Sequence, residues 1–154
     1  RQGGGRVLIE HILYGKGHDV ATIEPGASVA EAVAALREHN VGALVVVDDQ
    51  SRIAGILSER DVVRALADEP VAHATILEQR VSDLMTTDVT TCGSRSSVDE
   101  LMRLMTDRRI RHIPVVDDGA LNGIVSIGDV VKTRIGELED EAGTLHNYLS
   151  SGRI

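Results

Sequence analysis

The chain has 154 residues, a net charge of −8 and 42% hydrophobic residues, which is enough apolar material for one compact unit. Its acidity argues against binding to a nucleic-acid backbone, and with no Phe, no Trp and two Tyr it has little to stack on bases. The single Cys excludes an internal disulfide and a cysteine-rich zinc site. No apolar run has the length of a membrane span, and the first residues lack a secretory signal. We therefore expect no nucleic-acid partner, no membrane partner and a cytoplasmic location.

The first segment is predicted to be an arm. The glycine-rich residues 1–5 are left outside the predicted fold. Residues 7–13 have the composition of a short helix, which the Gly15-Lys16-Gly17 sequence would end. We predict that residues 1–18 form a tail and an arm that packs across the rest of the chain.

Residues 19–80 are predicted to form a unit of strand, helix, strand, strand and helix. Pro25-Gly26 predicts a turn, and Ser28 can cap a helix whose apolar residues recur at i, i+3, i+4 and i+7. Short continuous apolar runs then indicate buried strands. The predicted strands are 20–23, 43–47 and 53–57, and the predicted helices begin after Ser28 and near Glu59.

Residues 81–135 repeat this order. A first strand is expected before Ser97, in the segment that matches 20–23 at an offset of 69. The other predicted strands are 113–116 and 121–127, and the predicted helices begin after Ser97 and near Gly128. Residues 136–154 are predicted to be a separate C-terminal helix, because apolar residues from Ile135 to Leu149 recur at helical spacing among acidic ones. This helix is either an oligomer contact or an accessory helix packed on its own domain.

The two units are copies of one sequence. Ser28-Val29-Ala30-Glu31 returns 69 positions later as Ser97-Val98-Asp99-Glu100. The heptad that begins at Gly55 and ends at Asp61 returns between Gly123 and Asp129. Two long copies indicate an internally duplicated domain and not a solenoid. The prediction is an α+β (α/β sandwich-like) fold of two pseudo-symmetric β-α-β-β-α repeats with flanking helices and one shared core.

These motifs carry a family resemblance. Each heptad has glycine, two apolar residues, Ser, two variable residues and Asp, and an apolar helix opening follows. Arg111-His112 precedes Ile113-Pro114-Val115-Val116 in the second copy, whereas the first copy has Ala43-Leu44-Val45. The chain resembles a tandem pair of cystathionine β-synthase (CBS) domains, a Bateman module, and is similar to small stand-alone bacterial members. The resemblance implies a regulatory module that forms a homodimer.

The heptads suit a nucleotide. Asp61 and Asp129 can accept hydrogen bonds from a ribose diol, and Ser58 and Ser126 stand where a helix start stabilises phosphate. Apolar strand residues could enclose adenine, and cationic side chains could meet phosphate. The resemblance further implies that Val20, Thr22, Val89 and Thr91 read the adenine edge through their backbone. The remaining predicted nucleotide-binding residues are Ala43, Leu44, Val45, Arg60, Arg111, His112, Ile113 and Pro114.

The leading function is a regulatory, energy- or redox-sensing module that binds an adenine nucleotide in the cleft between the repeats. AMP is the first candidate, and ADP, ATP and NAD(H) are alternatives; an effector protein would receive the signal. Ser-x-x-Asp can also simply cap a helix, so a ligand-independent scaffold is a second reading. A third keeps the module but binds S-adenosylmethionine or a metal ion. We predict no metal site and no enzymatic activity, because metal-binding histidine spacings, a nucleophile elbow and a Walker loop are missing from the sequence.

Overall fold

The computed structural model describes residues 6–68 and 73–151, and its mixture of helices and small sheets confirms the α+β prediction. The first repeat region contains α1 (Ile9–Lys16), β1 (Thr22–Ile23), α2 (Val29–His39), β2 (Ala43–Val47), β3 (Ile53–Ser58) and α3 (Glu59–Asp68). The remainder contains α4 (His73–Glu78), α5 (Val81–Leu84), α6 (Val98–Arg108), β4 (His112–Asp117), β5 (Ala120–Ser126) and α7 (Ile127–Ser151).

Both predicted helix caps form. The Ser28 hydroxyl accepts the Glu31 backbone N–H at 3.0 Å, and the Glu31 carboxylate accepts the Ser28 N–H at 3.0 Å. Ser97 and Glu100 make the same reciprocal pair at 3.1 and 3.3 Å. Each box satisfies donors that a helix start leaves without partners, so α2 and α6 begin where the serines predict.

The sheets of the two repeats differ. In the first repeat the strand order is β1-β2-β3, with β1 parallel and β3 antiparallel to β2. In the second repeat only β4 and β5 pair as named strands. The strand expected before Ser97 is reduced to an isolated parallel bridge from Cys92 to Val115. The chain then turns at once, with the Ser96 N–H donating to the Gly93 carbonyl, so no ladder can grow.

The expectation of one shared core is also wrong. Among the described residues, the buried apolar side chains form two groups with no member in common, one in each repeat. Helix α1 supplies Ile9, Ile12 and Leu13 to the second group. Helices α4 and α5, which the sequence did not predict, supply Ile76 and Val81 to the first group. The first core is therefore completed by α4 and α5, which follow α3 in the chain. The second core is completed by α1, which precedes the whole first repeat.

Matched backbone hydrogen bonds show that these two closing segments are equivalent. The Val29 N–H donates to Gln79 and the Val81 N–H to Ala27, both at 2.8 Å; the Val98 N–H donates to Val7 and the Ile9 N–H to Ser96, both at 2.9 Å. The arm thus packs on the second repeat in the way that residues 79–84 pack on the first.

The last helix is longer than predicted. α7 begins at Ile127 and continues without a break to Ser151, so the expected boundary at 135/136 falls inside one helix. Val130 and the half-buried Arg134 and Glu137 lie on its side toward the second repeat, and residues 138–150 are all exposed. No helix in the described ranges is long and apolar enough to span a membrane.

Candidate functional site

A cleft of about 670 Å³ lies between the two repeats. Its size is within the range usual for small-molecule sites, about 300–1,000 Å³. One wall is built by β3 and the start of α3, and the other by the segment before α6 and the turn from α6 into β4. The first wall contains Gly42, Ile56, residues 58–61, Val63 and Arg64, and the second contains Thr86, residues 88–90 and residues 108–112.

The first motif forms a capping box at the edge of this cleft. The Ser58 N–H and hydroxyl donate to Asp61 Oδ2 at 2.9 and 3.1 Å, and the Asp61 N–H donates to Ser58 Oγ at 3.3 Å. The motif therefore caps α3, as the ligand-independent reading of the sequence predicted. A carboxylate can accept about four hydrogen bonds over its two oxygens, so capping leaves Asp61 able to accept from a ligand as well.

The second motif has the same box but is joined to the arm. Ser126 and Asp129 repeat the three bonds at 2.8, 3.1 and 3.2 Å. In addition, Lys16 Nζ donates to Asp129 Oδ2 at 2.7 Å and to the Ile124 carbonyl at 2.9 Å. Burial acts to raise the pKa of Asp129, but the hydrogen bonds from Lys16 and Ser126 outweigh it, and the pKa is lowered. The two motifs are thus unequal, because the carboxylate of the second motif also accepts a hydrogen bond from Lys16 of the arm.

Five arginines and three carboxylates line the cleft, so its lining carries more cationic than anionic groups although the protein is acidic. Arg108 is positioned by a hydrogen bond from its Nη1 to Thr90 Oγ1 at 3.2 Å. Arg109 ends α6 in the left-handed conformation, with φ of 55°, which turns the chain toward β4. Guanidinium groups in this number favour a phosphate over a neutral ligand. The five are Arg60, Arg64, Arg108, Arg109 and Arg111.

His112 lies where the repeats meet. A Cβ at Gly42 would come within 3.1 Å of its ring and 3.0 Å of the Glu59 carboxylate, so glycine lets these groups approach the backbone just before β2. Burial lowers the pKa of His112, against the opposing effect of Glu59. The ring is therefore neutral at neutral pH and can serve as a hydrogen-bond donor or acceptor, but not as a cation.

The predicted site residues fall into four groups. Ser58, Arg60, Asp61, Val89, Arg111 and His112 line the cleft. Ser126 and Asp129 form the second box, and Val20, Thr22 and Thr91 lie on segments outside the described cleft wall. Ala43, Leu44, Val45, Ile113 and Pro114 are buried in the strands, so a role beside adenine remains a prediction for them.

Sequence reasoning missed part of the cleft. It gave no role to Ile56, Thr86, Asp88 or Thr90, and it did not show that Val89 lies across from Ser58 and Asp61 of the other repeat. No spacing in the sequence encodes that pairing between repeats. Arg64 could have been found, because it follows Arg60 by one helical turn and so shares its side of α3.

Other reactive groups in the described residues do not form a site. No three His, Cys, Asp or Glu side chains within 6–68 and 73–151 are grouped as metal ligands would be. Burial, with a smaller effect from Asp117, raises the pKa of the Cys92 thiol to about 12. Its thiolate form is therefore scarce at neutral pH, and the thiol is a poor nucleophile.

The fold and the cleft together define a class: an internally duplicated α+β module with a small-molecule site between its repeats. The sequence family that matches is the CBS domain, found twice, at residues 16–68 and 81–136. The chain belongs to this family as a tandem CBS pair.

Relatives and solved structures agree with this assignment. The chain is 41% identical over 129 residues to the mitochondrial CBS domain-containing protein CBSX3 of Arabidopsis thaliana, covering 81% of this chain and 61% of that protein. The crystal structure of a CBS-domain-containing protein from Agrobacterium tumefaciens superposes with a TM-score of 0.81 at 43% identity, covering 87% of this chain and 98% of that one. The CBS pair of protein MJ0100, solved in complex with 5′-methylthioadenosine and S-adenosyl-L-methionine, gives a TM-score of 0.75 at 28% identity, covering 86% and 99%.

Proposed function

We propose that the chain is a regulatory module that binds an adenosine-containing ligand, with AMP first and ADP, ATP or NAD(H) as alternatives. The observation that carries the proposal is the cleft itself, which combines the Ser58–Asp61 box with five arginines. In this proposal Asp61 accepts from the ribose hydroxyls, and the arginines hold the phosphate. The adenosine ligands of MJ0100, a related CBS pair, support the same class of ligand.

We further propose that each chain binds one nucleotide, in this cleft. The motif of the second repeat is symmetry-related in sequence, but Asp129 already accepts a hydrogen bond from Lys16 at 2.7 Å. The Lys16 ammonium group neutralises the carboxylate to which a ribose diol would otherwise donate its hydrogen bonds. The arm thus favours ligand binding in this cleft, because Lys16 competes with a ligand for Asp129 at the second motif.

Binding would act by shifting the relative positions of the repeats. Ile56 of β3 and Thr86 of the leading segment of the second repeat exchange backbone hydrogen bonds at 3.0 and 2.9 Å, and both line the cleft. A ligand that contacts both walls stabilises the arrangement to which it fits best. An effector protein or a second copy of the chain would sense that arrangement, and no catalytic step is proposed.

Two alternatives keep specific support. S-adenosylmethionine is bound by the MJ0100 pair, and a sulfonium ligand has no phosphate for the arginines to hold. A ligand-independent scaffold is supported by the capping geometry of both motifs. The three readings differ in their response to adenosine, AMP and S-adenosylmethionine.

The test is calorimetric titration of the full chain with these three ligands and with NAD⁺, using Asp61→Asn and the matched Asp129→Asn. Both substitutions weaken a capping box, by about 0.5–2 kcal/mol, and Asp129→Asn should cost more stability than Asp61→Asn because it also removes the charge that Lys16 contacts. Only Asp61→Asn should weaken AMP binding, by about 10- to 100-fold for a lost charge-assisted hydrogen bond.

The titrations also separate the alternatives. An Arg111→Gln variant should weaken AMP but leave adenosine unchanged. Tighter binding of S-adenosylmethionine than of AMP would favour the sulfonium reading, and no binding by nucleotide-free protein would favour the scaffold. A stoichiometry of two per chain, or a loss of binding in Asp129→Asn alone, would contradict the one-site proposal.

A further inference from the structure

His112 connects the second motif to the wall of the cleft. Its backbone pairs with Ser126 at the first position of β4, beside the second motif. Its ring extends toward the first repeat, because a Cβ at Gly42 would lie 3.1 Å from the ring and 3.0 Å from the Glu59 carboxylate. The ring also forms part of the cleft wall. His112 therefore belongs to the second repeat by its backbone and to the cleft by its side chain.

The equivalent position of the first repeat has no titratable group. Ala43 is opposite Ser58 in the pairing of β2 with β3, as His112 is opposite Ser126 in the pairing of β4 with β5. The Ala43 side chain is a buried methyl group, which can neither carry charge nor donate a hydrogen bond. Of these two matched strand positions, only the one at the cleft holds a group that can change its charge near neutral pH.

Charged groups from four segments act on the ring. Burial lowers the pKa of His112, and the carboxylate of Glu59 at the start of α3 acts in the opposite direction. The ammonium group of Lys16 from the arm also lowers this pKa, Asp129 of α7 raises it, and the neighbouring Arg111 lowers it. In the free protein the ring is therefore neutral at neutral pH, held so by burial and by two nearby cations.

A phosphate in the cleft would change this balance. The inference rests on the proposed function, in which the arginines of the cleft hold the phosphate of a nucleotide. A phosphate monoester brings close to two negative charges at neutral pH, and an opposite charge within about 4–6 Å favours the charged form of a group. We propose that His112 takes up a proton when a phosphorylated nucleotide binds, and that the resulting imidazolium selects phosphorylated over unphosphorylated ligands.

The sign of the pH dependence follows from this proton. The complex holds more protons than the free protein, so affinity rises as the pH falls through the interval between the ring pKa of the complex and that of the free protein. Above and below that interval the affinity is constant. Occupancy of the cleft would then report pH as well as nucleotide concentration. Adenosine has no phosphate, so its binding should show no such dependence.

The direct test is NMR titration of the His112 ring in the full chain, with and without saturating AMP. The ring resonance should report a higher pKa in the presence of AMP, whereas adenosine should leave the pKa unchanged. Calorimetric titration with AMP at pH 7, in two buffers of different ionisation enthalpy, should show net proton uptake by the wild type. Neither measurement needs a variant that folds.

The affinity for AMP gives a second readout, measured from pH 8 to pH 6.5 because the phosphate itself titrates at about pH 6. Wild-type affinity should rise by about 3- to 10-fold over this range, since one pKa unit of linkage corresponds to tenfold. His112→Gln keeps a polar side chain that takes up no proton, so its affinity should stay flat. The matched control His39→Gln replaces an exposed histidine of α2 and should keep the wild-type slope.

Lys16→Met changes the linkage while the ring stays in place. It removes a cation that opposes protonation of His112, so the rise in affinity should move to higher pH. A ring pKa that AMP leaves unchanged, in protein that binds AMP, would overturn this inference and leave the proposed function standing. Absence of AMP binding at every pH would overturn the proposed function, and this inference with it.

Discussion

At the scale of single residues, Lys16 makes the sharpest difference between the two repeats. Its Nζ binds the Asp129 carboxylate and the Ile124 carbonyl, and the pKa of Asp129 is lowered despite its burial. A carboxyl whose pKa is lower in the folded than in the unfolded state adds stability above the unfolded pKa of about 3.9. That stability is lost as the pH falls through the folded pKa.

We therefore predict that Lys16→Met lowers the free energy of unfolding by about 1 kcal/mol at pH 7, a value reduced because both side chains are partly exposed. The difference from the wild type should shrink as the pH falls below 4, since protonated Asp129 no longer attracts Lys16. Urea denaturation at several pH values measures it, with the exposed Lys132→Met as control. A difference that does not change with pH would show that Lys16 acts through packing of its stem.

Hydrogen bonds between residues that are close in the sequence could be predicted from it. Ser58 and Asp61, or Ser97 and Glu100, are three positions apart, so their mutual hydrogen bonds follow from the helix start itself. The contact of Lys16 with Asp129 joins residues 113 positions apart and has no local signature. The same limit applies to Val89, which lines the cleft together with the first motif.

At the scale of elements, the two heptad glycines occupy equivalent strand positions but face different neighbours. A Cβ at Gly55 of β3 would lie 2.7 Å from the Met85 sulfur and 2.7 Å from the Thr86 carbonyl oxygen. A Cβ at Gly123 of β5 would meet the end of the Leu13 side chain, also at 2.7 Å. Backbone cannot move aside as a side-chain end can, so the two sites should tolerate a methyl group differently.

We predict that Gly55→Ala destabilises the protein by about 1–3 kcal/mol, as overpacking of a core does, and that Gly123→Ala costs less. Gly55→Ala should also weaken nucleotide binding, because it pushes Thr86 from Ile56 at the cleft. Thermal unfolding and titration with AMP measure the two effects. Equal destabilisation by the two variants would mean that the Thr86 backbone yields as easily as Leu13.

The elements themselves were predicted in proportion to their length and pattern. Helices α2 and α6 combine a serine cap with an apolar face, and β2 and the centre of β4 are uninterrupted apolar runs, so each was expected at nearly its observed bounds. Helices α4 and α5 have six and four residues, which is too short for a helical period to show. They are held by packing of Ile76 and Val81 on the first core, which is a tertiary effect.

At the scale of the whole molecule, the chain forms two separate cores. Each core is completed by a segment that lies outside its own strand and helix repeat. Duplication in the sequence predicted two similar repeats but also one shared core, and only the first expectation is correct. The arm is equivalent to residues 79–84, yet the two segments share little sequence, so the equivalence emerges only from the backbone bonds. A consequence is that each core can be weakened from outside its own repeat.

Ile9 provides the test, because it is 0% exposed in the second core although it precedes both repeats. Ile9→Ala should cost about 2–5 kcal/mol, the usual range for truncating a buried aliphatic side chain. Hydrogen exchange should then rise in α6, β4 and β5, and change much less in β2 and β3, because the two cores share no buried residue. The matched variant Val81→Ala should do the reverse. If exchange instead rises equally in both repeats with either variant, the cleft couples the cores into one cooperative unit, and a ligand between the repeats would stabilise both together.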